Sequence, residues 1–410
     1  MRNHGARNDL GTLPHADCGS WLRSCSGIHI PSPSVSKRAP DSTPAQRCFM
    51  RTTHRARWLT AAFLFLLTAC SPAAAVVATP KVSPTVQASP QSTPSPTAAA
   101  PSPPAPSRLP GASFALAALP PGVPFTGKLL IADRGNGRII EITANGAVDW
   151  MFPRAGQKLP VPFGAPDDAF YTADGKTIIA NAEGHQTVTA IDRATGTILW
   201  QVGKYNVRSS AVGYFNEPDD AVPQPDGTIW VADIRNCRLV HLSAAGAWLG
   251  TLGNRSCRHN PPTSFADPNG AFPTPTGSLI VTEIGGSRVT SLVPGGAVAW
   301  SVRAPVRYPS DAMEMPGGSV LLTDYSLPGA VVRLSSTGRT LWYYRPSGSA
   351  ELNHTSIAIP LASNRIAICD DFHSRIIVVD PSTNQVIWTF TGSGSSRLLY
   401  PDGIDYEPRQ

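Results

Sequence analysis

Residues 217–242 read EPDDAVPQPDGTIWVADIRNCRLVHL. The stretch opens on Glu217-Pro-Asp-Asp-Ala, turns at Pro225-Asp-Gly, and rises into an apolar run, IWVAD, that ends on Asp233. A tight turn follows, then a second apolar run, RLVHL. Short runs rich in β-branched residues, punctuated by Gly, Pro, Asn and Asp, read as antiparallel strands joined by tight turns. The same grammar returns with a period of 41–52 residues. Its openings are Ala165-Pro-Asp-Asp-Ala, Asp267-Pro-Asn-Gly-Ala, Tyr308-Pro-Ser-Asp-Ala and, more loosely, Leu352-Asn-His-Thr-Ser. Its acid-ended runs reach Asp133, Glu283, Asp324 and Asp370, with Asn181 taking the acid's place in the second repeat.

Each repeat therefore supplies four strands, and a repeat of this length that cannot bury both faces alone must stack on its neighbours. The count predicts an all-β fold: a six-bladed β-propeller of four-stranded antiparallel blades. The first repeat lacks a first strand, and the chain ends on Tyr400-Pro-Asp-Gly-Ile-Asp-Tyr, which carries the first-strand motif. Pairing that C-terminal strand into the N-terminal blade closes the ring and removes two open sheet edges. Ser113–Leu119 is the rival for that place, without the motif.

Two resemblances follow from these residues. Asp133-Arg-Gly-Asn136-Gly-Arg138 and Asp233-Ile-Arg-Asn236-Cys-Arg238 resemble the D-x-x-N-x-R turn of NHL-repeat propellers. Ala190-Ile-Asp192-Arg-Ala-Thr195-Gly196-Thr-Ile-Leu-Trp200 resembles the docking motif of quinoprotein-like propellers, and Gly-x-x-x-Trp recurs at Trp150, Trp300 and Trp342. Asn384 replaces that Gly before Trp388. The resemblance implies structural roles for these residues. It does not imply pyrroloquinoline quinone as cofactor, because the dehydrogenases that use it have eight blades and a vicinal cysteine pair.

The whole-chain charge of +6 is confined to the leader: residues 1–70 hold nine Lys/Arg against three Asp/Glu. The remainder is balanced, which argues against a nucleic-acid surface. Residues 50–70, MRTTHRARWLTAAFLFLLTAC, place three arginines before a short apolar run. That run is too short to span a bilayer and reads as an export signal. It ends Leu67-Thr68-Ala69-Cys70, which resembles the lipobox of bacterial lipoproteins. The resemblance implies cleavage before Cys70, lipidation of its thiol and anchoring on the outer side of the cytoplasmic membrane. Residues 1–49 then read as a mis-annotated leader preceding a true start at Met50. Residues 50–69 are the signal peptide and 70–107 a Pro/Ser/Thr/Ala-rich tether that cannot bury a core. The propeller occupies 108–410 and is expected to be monomeric.

Strand order puts the blade connections and the second-to-third-strand turns on one face. The first strands line a central channel whose mouth is the default binding site. The expected mouth residues are Asp167, Asp219, Asn269, Ser310, His354 and Asp402, with Asp168, Asp220 and Asp311 one step along. An Asp/Asn ring suits a hard cation such as Ca²⁺, with Asp167, Asp219 and Asp402 as candidate ligands. A zinc site from His354, His185 and His373, on the same face, is a further expectation. The plainer reading has the aspartates capping strand ends. Cys237 and Cys257 both fall on this face beside one blade, and in an exported chain they are expected to form a disulfide. Cys369 reads as buried and inert.

These features support a binding or scaffold module that meets an envelope protein or a small ligand at the mouth. The alternative is a metal-dependent lyase or hydrolase using mouth Asp and His residues. A sulfotransferase-like enzyme would have His354 as the candidate catalytic residue, although the His-Asp blade openings of that class are replaced here by Pro-Asp-Asp or Pro-Ser-Asp.

Overall fold

The computed structural model describes residues 123–407. The expected signal peptide, Cys70, the expected tether, residues 1–49 and Ser113–Leu119 lie outside the described residues.

The described chain forms six four-stranded antiparallel sheets, and its only helical elements are single 3₁₀ turns. Blade one comprises Lys128–Asp133, Arg138–Thr143 and Val148–Phe152, with Pro401–Tyr406 on its inner edge. Blades two and three run Ala169–Tyr171 to Thr197–Gly203 and Pro218–Pro223 to Trp248–Gly253. Blades four, five and six run Pro268–Pro273 to Val298–Arg303, Pro309–Met315 to Thr340–Tyr344, and Ala358–Leu361 to Gln385–Phe390. Each innermost strand adjoins that of the next blade, around to Pro401–Tyr406.

The expected closure is present. Leu129 faces Tyr406 and Ile131 faces Ile404 in antiparallel register. The first and last strands of the chain thus share one blade, and neither leaves an unpaired edge at the seam. Just before the first strand, Phe125 is fully buried with its ring edge-on to Trp388, 5.2 Å between centroids. It covers the joint between blades six and one.

The apolar alternation of the second and third strands fills the seams between blades, with Ile178, Ile191, Val231, Leu239, Val281, Leu322 and Ile377 all nearly inaccessible. The fourth-strand tryptophans lie within their strands and reach forward. Trp150 Nε1 donates to the Arg193 carbonyl at 2.7 Å, and Trp388 Nε1 to the Ala144 carbonyl at 3.1 Å. Trp342 Nε1 donates to Asn384 Oδ1 at 2.9 Å. Each bond crosses to the third-to-fourth-strand turn of the next blade, so an amphipathic ring fills the seam while its N–H is satisfied. Asn384 stands where other blades have Gly because it tolerates φ 56° and supplies that acceptor.

One assignment is corrected here. Asn181 does not take the acid's place: Ala182 pairs with Thr187 as Asp133 pairs with Arg138. Blade two has lost the turn acid, and Asn181 points inward one residue earlier. No helix among the described residues is long and apolar enough to cross a membrane.

Candidate functional site at the channel mouth

The mouth is held by turns of one design. After the second strand, a 3₁₀ turn at Arg134–Asn136, Ile234–Asn236 or Asp371–His373 reverses the chain into the third strand. The strand-end acid organises it. Asp133 Oδ2 accepts from Asn136 Nδ2 at 2.8 Å and from Arg138 Nε at 2.7 Å. Asp233 Oδ2 does the same with Asn236 at 2.8 Å and Arg238 at 2.6 Å. The other oxygen of each acid accepts a backbone N–H of the incoming blade connection, from Leu399 at 2.8 Å and from Asn216 at 2.7 Å. The repeated signature is therefore a clamp that fixes the loops of this face.

The first residue of each such turn donates its N–H to the residue that opens the inner-strand motif: Ile234 to Glu217, Ile284 to Asp267, Tyr325 to Tyr308, Asp371 to His354. This equivalence moves one expected position. His354 matches Glu217 and Tyr308, so the mouth position of blade six belongs to Ser356. Blade six lacks the motif proline, so its sequence carries no marker for this two-residue offset. Ser356 is buried, and its hydroxyl donates to Asp371 Oδ1 at 2.9 Å and to the Asp402 carbonyl.

The mouth ring is Asp402, Asp167, Asp219, Asn269, Ser310 and Ser356, all buried. It is not uniformly anionic. Arg134 Nη1 pairs with both Asp167 and Asp402, and its Nη2 with Glu183 at 3.0 Å. Asn269 Nδ2 donates to Asp219 Oδ2. Burial, then the charge of Asp402, pushes the Asp167 carboxyl well above the ordinary carboxylate range. Burial, then Asp168, does the same to Asp219. One step along, burial and then Asp402 push Asp168 up to about 7. Asp220 and Asp311 are also raised well above the ordinary carboxylate range, chiefly by burial.

Of the three cation ligands expected, Asp167 and Asp219 share a close group with Asp168, while Asp402 belongs to no such group. The zinc set is not assembled. His185 Nδ1 bonds Asn206 at 2.7 Å and stacks on Tyr205; His373 Nδ1 faces Asp370 at 3.0 Å; His354 Nδ1 bonds Asn353 at 2.6 Å. Among the described residues, no group able to hold a metal contains histidine. Cys237 and Cys257 are joined as a disulfide on this face, and Cys369 is buried and free.

The structure also reveals an aromatic arc over blades five, six and one that the sequence pattern did not single out. Tyr308, Tyr325, His354, Phe372 and Tyr400 follow one another with ring centroids 5.4, 4.9, 4.2 and 4.6 Å apart. The hydroxyls of Tyr325 and Tyr400 bond at 2.6 Å, and the Arg134 guanidinium lies 5.7 Å from the Tyr400 ring. Phe372, Leu327 and Leu399 stand half exposed beside it. Blades two to four instead present ion pairs, with Arg235 between Glu217 at 2.7 Å and Asp267 at 3.4 Å. A signal was available: Tyr308 and Tyr400 directly precede the motif proline, and Tyr325 and Phe372 closely follow a strand-end acid.

A family model described as "Outer membrane protein assembly factor BamB" matches residues 107–244 and 184–397, together well over half of the chain. No curated protein matches the sequence significantly. Among solved structures, a protein of unknown function from Bacteroides caccae is 18% identical over 68% of this chain and 98% of its own, with TM-score 0.49. A streptogramin B lyase is 15% identical over 68% and 83%, with TM-score 0.47. Virginiamycin B lyase from Staphylococcus aureus is 14% identical over 68% and 84%, with TM-score 0.48. Similarity this low carries no activity across. The blade-to-blade tryptophan docking and the span of the family match lead to one conclusion: this chain belongs to the quinoprotein-like β-propeller family described by outer membrane protein assembly factor BamB.

Proposed function

We propose that this protein is an exported, lipid-anchored binding or scaffold module that meets an envelope protein at the channel mouth. The observation that carries the reading is the asymmetry of that mouth, with a partly exposed aromatic arc on blades five, six and one facing an ion-paired arc on blades two to four. Aromatic anchors flanked by arginine are the composition of protein-recognition surfaces. The sequence ending at Cys70 and the tether after it support anchoring, because together they hold the domain out from a bilayer. The family's description, an outer membrane protein assembly factor, supports a role in assembly.

The test is site-specific photo-crosslinking of the full chain in its host. A photoreactive residue at position 372 or 399 is expected to give a discrete protein adduct. One at position 293, in a turn on the opposite face, is expected to give none. Equal capture at both faces, or none at 372, overturns the mouth as the binding site. Radiolabelled fatty acid is expected in the wild type and absent in Cys70→Ser; an unlabelled wild type overturns the anchor.

A further inference from the structure

One residue beneath the mouth ring lies a second ring: Gly403, Asp168, Asp220, Gly270, Asp311 and Ile357. Its three aspartates come from blades two, three and five, yet their carboxylates converge. One oxygen from each lies within 4.8 Å of the other two. All three side chains are buried, and Asp220 has no accessible surface. Neither carboxylate oxygen of Asp220 meets an N–H or neutral hydroxyl donor; the side chain beside it is the Asp311 carboxyl. A buried carboxylate that faces only other carboxylates is among the least tolerated features of a protein interior.

The counter-charge is missing at this level. Arg134 is engaged in the ring above by Asp167, Asp402 and Glu183. Among the described residues no Lys, Arg or His forms an ion pair with Asp168, Asp220 or Asp311. Asn181 Nδ2 reaches Asp168 Oδ2 only at 3.5 Å, too long for a strong bond.

The backbone is cut away to let these carboxylates in. A Cβ on Gly270 would lie 2.7 Å from Asp220 Oδ2, and one on Gly403 would lie 2.5 Å from Asp168 Oδ1. Any other residue at either position would collide with a carboxylate oxygen. Neither glycine has the positive φ that would otherwise account for it. Gly270 is therefore small because Asp220 leans over it, while Gly403 is closed both by the Asp168 carboxylate and by the Asp168 Cα at 2.7 Å.

We propose that Asp168, Asp220 and Asp311 form a Ca²⁺ site in the central channel. The donors are all hard oxygens, with no nitrogen or sulfur to favour zinc. Calcium takes oxygen ligands at roughly 2.3–2.6 Å, so oxygens on opposite sides of one ion stand about 5 Å apart. Three oxygens that lie within 4.8 Å of one another fall inside that limit. Mg²⁺ demands near-ideal octahedral geometry at about 2.0–2.1 Å and keeps several waters, which suits a buried set of carboxylates from three blades less well. The other acidic group, Asp167 with Asp168 and Asp219, is less suited, because Arg134 and Asn269 already occupy Asp167 and Asp219. The ion binds blade five to blades two and three across the channel, which no backbone bond does.

The experiment uses the full-length, detergent-solubilised protein, stripped with a chelator and titrated with Ca²⁺ alone. Elemental analysis is expected to find one Ca²⁺ per chain, with a rise in unfolding temperature on Ca²⁺ addition. Asp220→Asn and Asp311→Asn keep the side-chain volume and remove charge; each is expected to abolish Ca²⁺ uptake and the thermal response. Asp167→Asn is expected to retain both. Wild-type protein that takes up no Ca²⁺ overturns the proposal, as do Asp220→Asn and Asp311→Asn variants that still bind it. A stripped Asp220→Asn protein more stable than a Ca²⁺-insensitive wild type would show that the three acids share protons instead.

Discussion

Trp200 and Ala244 join two blades through one hydrogen bond: the indole Nε1–H in the last strand of blade two donates to the Ala244 carbonyl of blade three at 3.0 Å. Gly246, two residues on, lies under the same indole. A Cβ there would meet the ring at 2.8 Å, and its φ of +77° already disfavours any side chain. Gly246→Ala is therefore expected to destabilise the propeller by about 1–3 kcal/mol through overpacking and backbone strain. Denaturant unfolding measures it. An unchanged midpoint would mean that the seam is not close-packed.

Arg238 is expected to matter far more than Arg235, three residues away. Arg238 pairs with the inaccessible Asp233 and donates to the carbonyls of Ser210 and Tyr214, each at 2.9 Å. Removing it in Arg238→Ala strands a buried carboxylate, at a cost of about 3–5 kcal/mol. Arg235 is half exposed, and its pairs with Glu217 and Asp267 are screened. Arg235→Ala is expected to change stability by less than about 1 kcal/mol. Equal losses in parallel unfolding curves would refute this ranking.

The Cys237–Cys257 bridge closes a sequence separation of 20. The double variant Cys237→Ser with Cys257→Ser is expected to lose about 3 kcal/mol, chiefly by freeing the unfolded chain. A reductant should shift the wild type toward the variant and leave the variant unchanged. Cys369 is expected to resist alkylation until the protein unfolds, because burial holds its thiol well above the ordinary range.

Asp405 gives the protein a pH-dependent weakness. Burial pushes its carboxyl up to about 7, despite the N–H groups of Tyr171 at 2.8 Å and Tyr406 at 2.7 Å that favour the charged form. The native state then holds a proton that the unfolded chain releases near pH 4. Stability from this group is fully present below pH 4 and is lost as pH rises through about 7. The side chain keeps some solvent access, so the loss is expected to be about 1–2 kcal/mol. Asp405→Asn should show a flatter stability profile between pH 5 and 8, whatever its absolute stability. Parallel profiles would place the titration elsewhere.

Architecture was legible in the sequence because local rules repeat. Turn residues, alternating strands and one acid per repeat are short-range features, and six copies correct one another's noise. The closing strand was legible for the same reason, since Pro401-Asp-Gly is a copy of the motif. Where a repeat lost its markers, the reading slipped. Blade two has Ala182 in place of the acid, and blade six has Thr355 in place of the proline. Asn181 therefore lies one position, and His354 two positions, from the places their repeats suggest.

The sequence by itself determined the blades, their number, the closure and the face that carries the loops, because each follows from patterns within one repeat. Only the tertiary structure decided which mouth acids are compensated. Arg134 comes from blade one and binds Asp167 of blade two, while Asp168, Asp220 and Asp311 meet across the ring. Such contacts join residues dozens to hundreds of positions apart, and charge pairing depends on distances that only ring closure sets. The Asp/Asn ring read from the sequence thus separates into an upper tier neutralised in part by Arg134 and hydrogen-bonded by Asn269, and a lower tier of three carboxylates without a counter-charge among the described residues.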